Sequence, residues 1–224
     1  MQRTISFAEG EYYHVYNRGT EKRNIFMEAR DYARFTKLLF IANGTKPFVF
    51  REIKNKTLSE VDRDEQLVAI GAYCLMPNHF HILMKEMSEG GVSKFMEKLG
   101  TGYSMYFNKK YKRTGVLYQG SFKAEHVDND EYLKYLYSYI HLNPVKLIDP
   151  TWKEVGIRDA EKTRAYLENY HSSSYLDYLG VDREEKLILS KGKFPEYFDK
   201  PKDFKEYISD WLEFVKNGGA PQHQ

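Results

Sequence analysis

Apolar and polar residues alternate or recur along the chain in patterns that predict three of its strands and two of its helices. Residues 12–17, 67–75 and 79–84 show the period-two or continuous apolar pattern that is typical of strands. Apolar side chains recur at helical spacing over residues 29–42 and 92–106. Strands and helices therefore follow one another along the first part of the chain.

A further strand and a further helix follow these elements. Residues 116–127 read as a strand region that is broken at Gly120. The next helix is predicted to begin at Asp128, which has the spacing of a capping box with Glu131. It is predicted to end before Pro144, because proline and the residue before it resist helical continuation.

Two parts of the chain lie outside this series. Residues 45–65 mix a short apolar run with a charged tail and are interpreted as a hairpin-like insertion or a mobile loop. Beyond Pro150 we expect a helical accessory region and a frayed tail over residues 218–221. Four short helical patterns occur there, at residues 160–170, 173–179, 184–189 and 202–216. We divide the chain into a domain at residues 1–148 and an accessory region at residues 149–224.

Composition excludes several classes of protein. A chain of 224 residues with 42% hydrophobic and 29% charged side chains is long enough and apolar enough to fold around a core. The single cysteine, Cys74, excludes an intramolecular disulfide and a thiolate metal site, and we expect it to fill the core. No apolar run reaches the length of a membrane span, and no secretory signal is visible, so we expect a cytoplasmic protein. Aromatic residues make up 16% of the chain, and we expect rings in excess of the core to stack on bases.

Charge is distributed unevenly although the net charge is only +2. Residues 92–125 contain seven lysines and arginines and two glutamates, which gives this segment a charge of +5. Its densest part is Lys109, Lys110, Lys112 and Arg113, with Tyr111 among them. This cluster is either a solvated helix end or a surface for nucleic acid, since cations neutralise phosphates and rings stack on unpaired bases.

Two histidines are the sharpest chemical signal in the sequence. His79 and His81 are two residues apart on a predicted strand, so their rings point to the same face and are close enough to share one metal ion. The alternative is a pair of ordinary polar residues on an exposed sheet face. A third ligand would come from the helix ending near Asn143, where Tyr139 and Asn143 are stacked at i, i+4 spacing.

Spacing alone does not select one tyrosine of that helix. Tyr132, Tyr135 and Tyr139 share a face, whereas Tyr137 points away. Nothing in the spacing of the other two nearby histidines distinguishes them from surface or hydrogen-bonding residues. These histidines, His126 and His141, are therefore left out of the predicted site.

Four segments in this order resemble the REP-associated tyrosine transposases, a branch of the single-tyrosine transposases that carry a His-hydrophobe-His (HUH) motif. The segments are YHVYNRG at residues 13–19, YCLMPNHFH at 73–81, GVLYQGSF at 115–122 and YIHLNPV at 139–145. SSSY at residues 172–175 is similar to a further C-terminal motif of the family. The resemblance covers most of residues 12–146 and implies an α+β fold, a ferredoxin-like HUH nuclease fold with a central antiparallel sheet flanked by helices and a C-terminal helical extension.

The resemblance also implies roles for individual residues. Tyr139 matches the nucleophile, and His79, His81 and Asn143 match the ligands of a divalent metal ion, Mg²⁺ or Mn²⁺. The wider single-tyrosine group has glutamine at the last position, which is one methylene longer than asparagine. The implied reaction is metal-assisted transesterification of single-stranded DNA, in which the Tyr139 oxygen forms a 5′-phosphotyrosine link and a 3′-hydroxyl is released.

The implied partner is single-stranded or hairpin DNA. We assign stem phosphates to the basic cluster and to two further cations. The predicted DNA-binding residues are Arg18, Lys109, Lys110, Lys112, Arg113 and Lys123. A monomer is slightly favoured over a homodimer because of the long C-terminal region.

Two other functions fit parts of the sequence. A non-catalytic DNA- or RNA-binding regulator would keep the sheet and the basic cluster without cutting. A metal-dependent ribonuclease would use the same histidines but leaves the spacing of Tyr139 and Asn143 unexplained.

Overall fold

Four antiparallel strands form one sheet at the centre of the molecule. The structure is a computed structural model that describes residues 5–216. The strands are β1 (Tyr12–Arg18), β2 (Val68–Met76), β3 (His79–Glu86) and β4 (Lys123–Val127). Their order in the sheet is β2-β3-β1-β4. The predicted α+β class with a central antiparallel sheet is confirmed.

One face of the sheet is covered by two long helices. They are α1 (Ala29–Ile41) and α3 (Gly91–Lys110), and both were predicted from their apolar spacing. Phe80 and Ile82 of β3 point to this face and pack in one cluster with Phe35 of α1 and Tyr103 of α3. The residues of β3 that alternate with them, including His79 and His81, therefore point to the opposite face.

The segment at residues 45–65 packs on this same helical layer. Its base is closed like a hairpin by a hydrogen bond from the Thr45 amide to the Glu65 carbonyl, at 3.0 Å. It contains no strand, but a short helix α2 (Phe50–Ile53) and a single 3-10 turn (Leu58–Glu60). The Arg34 guanidinium of α1 stacks on Phe50, with its carbon 3.0 Å from the ring centroid.

The opposite face of the sheet is covered by helix α4 and by the C-terminal region. The helices are α4 (Asp130–Leu142), α5 (Trp152–Val155), α6 (Ala160–Glu168), α7 (Tyr175–Tyr178) and α8 (Pro201–Lys216). Leu83 of β3, Ile140 of α4 and Phe204 of α8 belong to one buried cluster. Cys74 is fully buried in this cluster, as predicted. The C-terminal region thus shares a core with the sheet, and the boundary at residue 148 stays a prediction.

Strand β2 is buried at all nine positions although it is at the edge of the sheet. The segment before α7 covers it: the Leu75 amide donates to the Ser172 carbonyl at 2.9 Å, and the Ser174 amide donates to the Tyr73 carbonyl at 3.0 Å. Gly71 allows Phe194 to pack on the strand, because a Cβ there would lie 2.7 Å from that ring. The unpaired edge of β2 is therefore protected by the chain itself.

Several predictions about individual elements are wrong. Helix α4 is capped by Asn129, whose side chain accepts from the Tyr132 amide, and not by Asp128. Only the last part of the strand predicted at residues 116–127 forms, as β4. The preceding residues are a loop that is joined to the end of β1 by a single isolated bridge, between Gly19 and Tyr118. Helix α5 was not predicted. The tail predicted to fray at residues 218–221 lies outside the described residues.

Within residues 5–216 fewer than half of the aromatic side chains are buried, and most of the others are partly buried against the two core clusters. The largest fully buried side chains include Tyr13, Tyr73, Tyr103, Tyr137 and Tyr175. None of the helices within residues 5–216 has the length and apolar content required to cross a membrane.

A buried carboxylate joins the two helices of the first layer. Asp31 of α1 is fully buried and accepts hydrogen bonds from Tyr106 at 2.8 Å, Lys110 at 2.5 Å and Tyr111 at 2.6 Å, all at the end of α3. Burial acts to raise the pKa of Asp31, but the bonds from Lys110 and Tyr111 outweigh it and hold the pKa below its usual range. The ionised form is therefore stabilised by folding.

Substituting Asp31→Asn is expected to destabilise the protein by about 3 kcal/mol, because Lys110 loses its buried partner. The pKa of Asp31 is lower in the folded than in the unfolded state. The stability that its ionised carboxylate supplies is therefore present above about pH 4, and it is lost as the pH falls through the lower pKa of the folded state. Urea unfolding at a series of pH values checks both points. The exposed Asp210→Asn is the control, and equal unfolding midpoints for the two variants would contradict the role of Asp31.

Candidate active site

Two histidine side chains of β3 lie on the sheet face that packs against α4, as their alternation predicts. The ring centroids of His79 and His81 are 5.1 Å apart, at an interplanar angle of 88°. His81 is only 7% exposed, so the alternative of an exposed polar sheet face is wrong for this residue. Burial lowers the pKa of His79 to about 4 and the pKa of His81 well below its usual value. Both rings are therefore neutral near neutral pH, which is the form that binds metal ions.

The Nδ1 atom of each ring is held by a neighbouring side chain. His79 Nδ1 lies 2.6 Å from Asn78 Oδ1, and the Asn78 amide nitrogen in turn donates to the Lys22 carbonyl at 3.2 Å. His81 Nδ1 lies 2.9 Å from His14 Nε2. Because an amide oxygen only accepts, His79 carries its proton on Nδ1. The Nε2 atoms are thus the nitrogens that would face an ion.

A hydrogen-bonded chain continues from His81 across two further strands. His14 of β1 is 3% exposed, and its Nδ1 atom lies 3.5 Å from the Glu125 carboxylate of β4. Glu125 also accepts from the hydroxyls of Tyr16, at 2.8 Å, and Tyr132, at 3.0 Å. The bond with His14 is the main cause that lowers the pKa of Glu125 to about 2. Because the Glu125 carboxylate accepts the proton of His14 Nδ1, the neutral His14 ring has no proton on Nε2. His14 Nε2 therefore accepts the hydrogen bond that His81 Nδ1 donates.

Sequence reasoning missed His14 and Glu125. Alternation places His14 and Tyr16 on one face of β1, and this is the signal that the sequence offers. Alternation does not give the strand order. His14 is paired with Leu83 of β3 on one side and with Glu125 of β4 on the other. This strand order brings His14 and Glu125 close to His81.

Tyr139 is the tyrosine of α4 that reaches the histidines. Its ring centroid lies 5.6 Å from that of His14 and 5.6 Å from that of His81. Tyr135 is 9% exposed and packs on Trp211, while Tyr137 is 2% exposed and points into the second core cluster. Burial, followed by the negative charge of Glu125, raises the pKa of Tyr139. The phenol is therefore protonated near neutral pH.

Asn143 lies one turn beyond Tyr139, at the C-terminal end of α4. Its amide nitrogen donates to the Tyr139 carbonyl at 2.8 Å, so the amide oxygen is the atom left for another contact. Two imidazole nitrogens and one amide oxygen would together be a mixed N/O ligand set of the kind that fits a hard or borderline divalent ion. Within residues 5–216 no group of three or more His, Cys, Asp or Glu side chains is arranged to hold a metal ion.

The structure brings one of the six predicted DNA-binding residues next to the histidines. Arg18 is paired with His79 across β1 and β3, and its guanidinium donates to Gln119 at 3.1 Å. Lys123 is exposed on β4 and is paired with Tyr16. Both therefore lie on the strands that carry the site.

The other four residues are on the opposite layer of the molecule, at the end of α3. Lys109 and Lys112 are exposed. Lys110 forms ion pairs with Glu28 and Asp31. Arg113 donates to Asn108 at 3.1 Å. Two cations of this cluster are thus occupied by partners within the protein.

The histidines omitted from the site have other environments. His126 pairs with Glu11 at 2.7 Å on the exposed side of β4. His141 is fully buried between the Tyr137 carbonyl and the Ser174 hydroxyl.

Comparison with known proteins agrees with this geometry. Residues 12–143 match the family described as Transposase IS200 like. The chain belongs to this family of transposases. No curated protein sequence matches it. Family membership makes it an enzyme of the HUH transposase and nuclease type.

Two solved structures were compared with this chain, and the first shares its fold. The structure of a REP-associated tyrosine transposase bound to a REP hairpin has a TM-score of 0.52 and 12% identity, and the match covers 83% of this chain and 90% of that chain. A bacterial tRNA(His) guanylyltransferase-like protein in complex with ATP has a TM-score of 0.41 and 10% identity, with 93% of each chain covered. The likeness to the first of these agrees with the predicted fold class of this chain.

Substituting Glu125→Gln is expected to weaken metal binding roughly 10- to 100-fold, because the residues behind a metal-binding histidine fix its orientation and proton position. Titration of the protein with Mn²⁺, followed by electron paramagnetic resonance, measures this affinity. Glu131→Gln, at an exposed position of α4, is the matched control. An unchanged Mn²⁺ affinity in the Glu125 variant would show that the His81–His14–Glu125 chain does not organise the site.

Proposed function

We propose that this transposase cleaves and rejoins single-stranded DNA beside a hairpin, with Tyr139 as the nucleophile. The observation that carries the proposal is the half-buried Tyr139 ring, whose centroid lies 5.6 Å from that of the His81 ring. A nucleophile and an electrophilic centre must be adjacent for an in-line attack on phosphorus. The short distance between the Tyr139 and His81 rings supports the proposal.

His79, His81 and Asn143 would hold the divalent ion, Mg²⁺ or Mn²⁺, through two Nε2 atoms and one amide oxygen. Bound there, the ion supplies the Lewis acidity that polarises the phosphate and favours ionisation of the phenol. Asn78 and His14 keep the protons of the two histidines on Nδ1. These contacts prepare the ligand atoms before an ion arrives.

The reaction exchanges one phosphate ester for another. The Tyr139 phenol loses its proton to water, and its oxygen forms a bond to phosphorus. The bond from phosphorus to the 3′-oxygen breaks, and that oxygen keeps the electron pair and takes a proton from water. The products are a 5′-phosphotyrosine and a free 3′-hydroxyl. Because the ester energies are similar, a later 3′-hydroxyl can reverse the step without ATP.

Hairpin DNA is the proposed substrate because the transposase of similar fold was solved with a REP hairpin. Arg18 beside His79 and Lys123 on β4 would contact phosphates near the cleavage site. The exposed Lys109 and Lys112 would contact the stem, with Lys110 and Arg113 as weaker contributors because of their internal partners.

The protein is proposed to act as a monomer in the cytoplasm. Tyr139 meets the histidines of its own chain, so the site needs no exchange of α4 between two copies. This intramolecular arrangement supports the monomer.

Tyr139→Phe is expected to abolish covalent attachment to DNA while leaving hairpin affinity unchanged, because only the attacking oxygen is removed. A labelled hairpin with a single-stranded flank is incubated with Mn²⁺ and resolved on a denaturing gel. Tyr135→Phe, one turn away, is the matched control and should retain the protein-DNA band.

Persistence of the band in Tyr139→Phe would transfer the role to Tyr135 or Tyr137. A wild-type protein that binds the hairpin but never forms the band would be a non-catalytic binder.

Hairpin affinity is expected to fall steeply with salt, by about 10³-fold or more between 50 and 200 mM if about six phosphates are contacted. The double variant Lys109→Gln/Lys112→Gln should lower the slope of log affinity against log salt by about two. Fluorescence anisotropy at several salt concentrations measures the slope. Lys162→Gln, exposed on α6, is the control, and a slope shared by all three proteins would remove the α3 end from the DNA-binding surface.

A further inference from the structure

A lysine of the C-terminal region lies directly beside Tyr139. Lys153 is on α5, and its Nζ atom is 4.5 Å from the Tyr139 ring centroid and 5.5 Å from the Trp152 ring. Trp152 is 2% exposed and anchors α5 in the second core cluster. The position of the Lys153 backbone is therefore set by the packing of the C-terminal region. The family match ends at residue 143, before this helix.

Within residues 5–216 Lys153 has no carboxylate at ion-pair distance. It is partly buried, and burial followed by repulsion from Lys146 lowers its pKa. A cation that is taken partly out of water and placed near another cation is unfavourable unless an anion joins it. The charge of the adjacent Glu154 offsets part of this cost, and a phosphate group beside Lys153 would offset more of it.

We propose that Lys153 binds the phosphate that Tyr139 attacks, with its ammonium group donating hydrogen bonds to the non-bridging oxygens. Lys153 would then be a catalytic residue from the C-terminal region. This inference rests on the proposed function. Attack requires phosphorus to lie about 3 to 3.5 Å from the phenol oxygen. The flexible stem of lysine lets an ammonium group beside the ring reach an oxygen of that phosphate.

The proposed contact strengthens during the reaction. Negative charge grows on the phosphate oxygens as the new ester bond forms, and a fixed donor in a partly dry site stabilises that charge. After cleavage the same ammonium group would neutralise the phosphodiester on Tyr139. Lys153 supplies charge that is independent of the metal ligands, so its loss should slow cleavage more than it weakens DNA binding.

The experiment compares Lys153→Gln, Lys153→Arg and the control Lys162→Gln. The rate of covalent complex formation is measured with Mn²⁺ and saturating hairpin DNA, and hairpin affinity is measured separately by anisotropy. We expect Lys153→Gln to reduce the rate about 100-fold, with affinity within about threefold of wild type. Lys153→Arg, which keeps the charge, should recover at least part of the rate, and melting temperatures should match that of wild type.

A chemical rescue separates the ammonium group from a purely structural role. Lys153→Cys is treated with 2-bromoethylamine, which rebuilds a lysine-like ammonium side chain on an accessible thiol. Cys74 is fully buried, so the treated wild-type protein is a suitable control. Treatment should raise the rate of the variant about tenfold or more and leave its melting temperature unchanged.

Three outcomes would overturn the proposal. They are a cleavage rate in Lys153→Gln within about twofold of wild type, a loss of affinity as large as the loss of rate, and no gain from aminoethylation. If wild type forms a Tyr139-dependent adduct and one of these outcomes occurs, only the role of Lys153 fails. If wild type forms no adduct at all, the proposed function fails and this inference with it.

Discussion

The Glu125 carboxylate, at the far end of a chain of hydrogen bonds, determines which nitrogen of His81 faces the site. It accepts from His14, which leaves His14 as the acceptor for His81. Three strands must be in the correct order and register for this to occur, since His14 is paired with Leu83 on one side and Glu125 on the other. Two tyrosine hydroxyls complete the environment of the carboxylate. The chemistry of one imidazole thus depends on the assembly of most of the sheet.

The second requirement is that α4 packs tightly on the same face. Ile140 of α4 is buried against the sheet in the second core cluster, and this orients Tyr139 toward His81. The C-terminal helices complete that cluster and cover the edge of β2 through residues 172–174. The accessory region is therefore part of the structure that positions the nucleophile. The inference about Lys153 extends this role from support to chemistry.

Much of the fold followed from local patterns. Alternation gave the shared face of His79 and His81, and helical spacing placed Tyr139 and Asn143 on one side of α4. The elements that were missed are short or irregular. Helix α5 has only four residues, and the segment before β4 contacts the end of β1 through one isolated bridge without a regular strand ladder. His14 and Glu125 were missed for a different reason. Their proximity depends on contacts between residues far apart in the sequence, and local periodicity carries no information about the order of strands in a sheet.

The location of residues 45–65 also has a practical consequence. They rest on α1 and α3, and the sheet separates that layer from the histidines and from Tyr139. Long excursions of this kind on the surface cost little conformational free energy when they are lengthened. A fluorescent reporter or a fused targeting domain grafted within residues 45–65 would lie on the side of the sheet opposite Tyr139, which makes this segment a handle for engineering the protein.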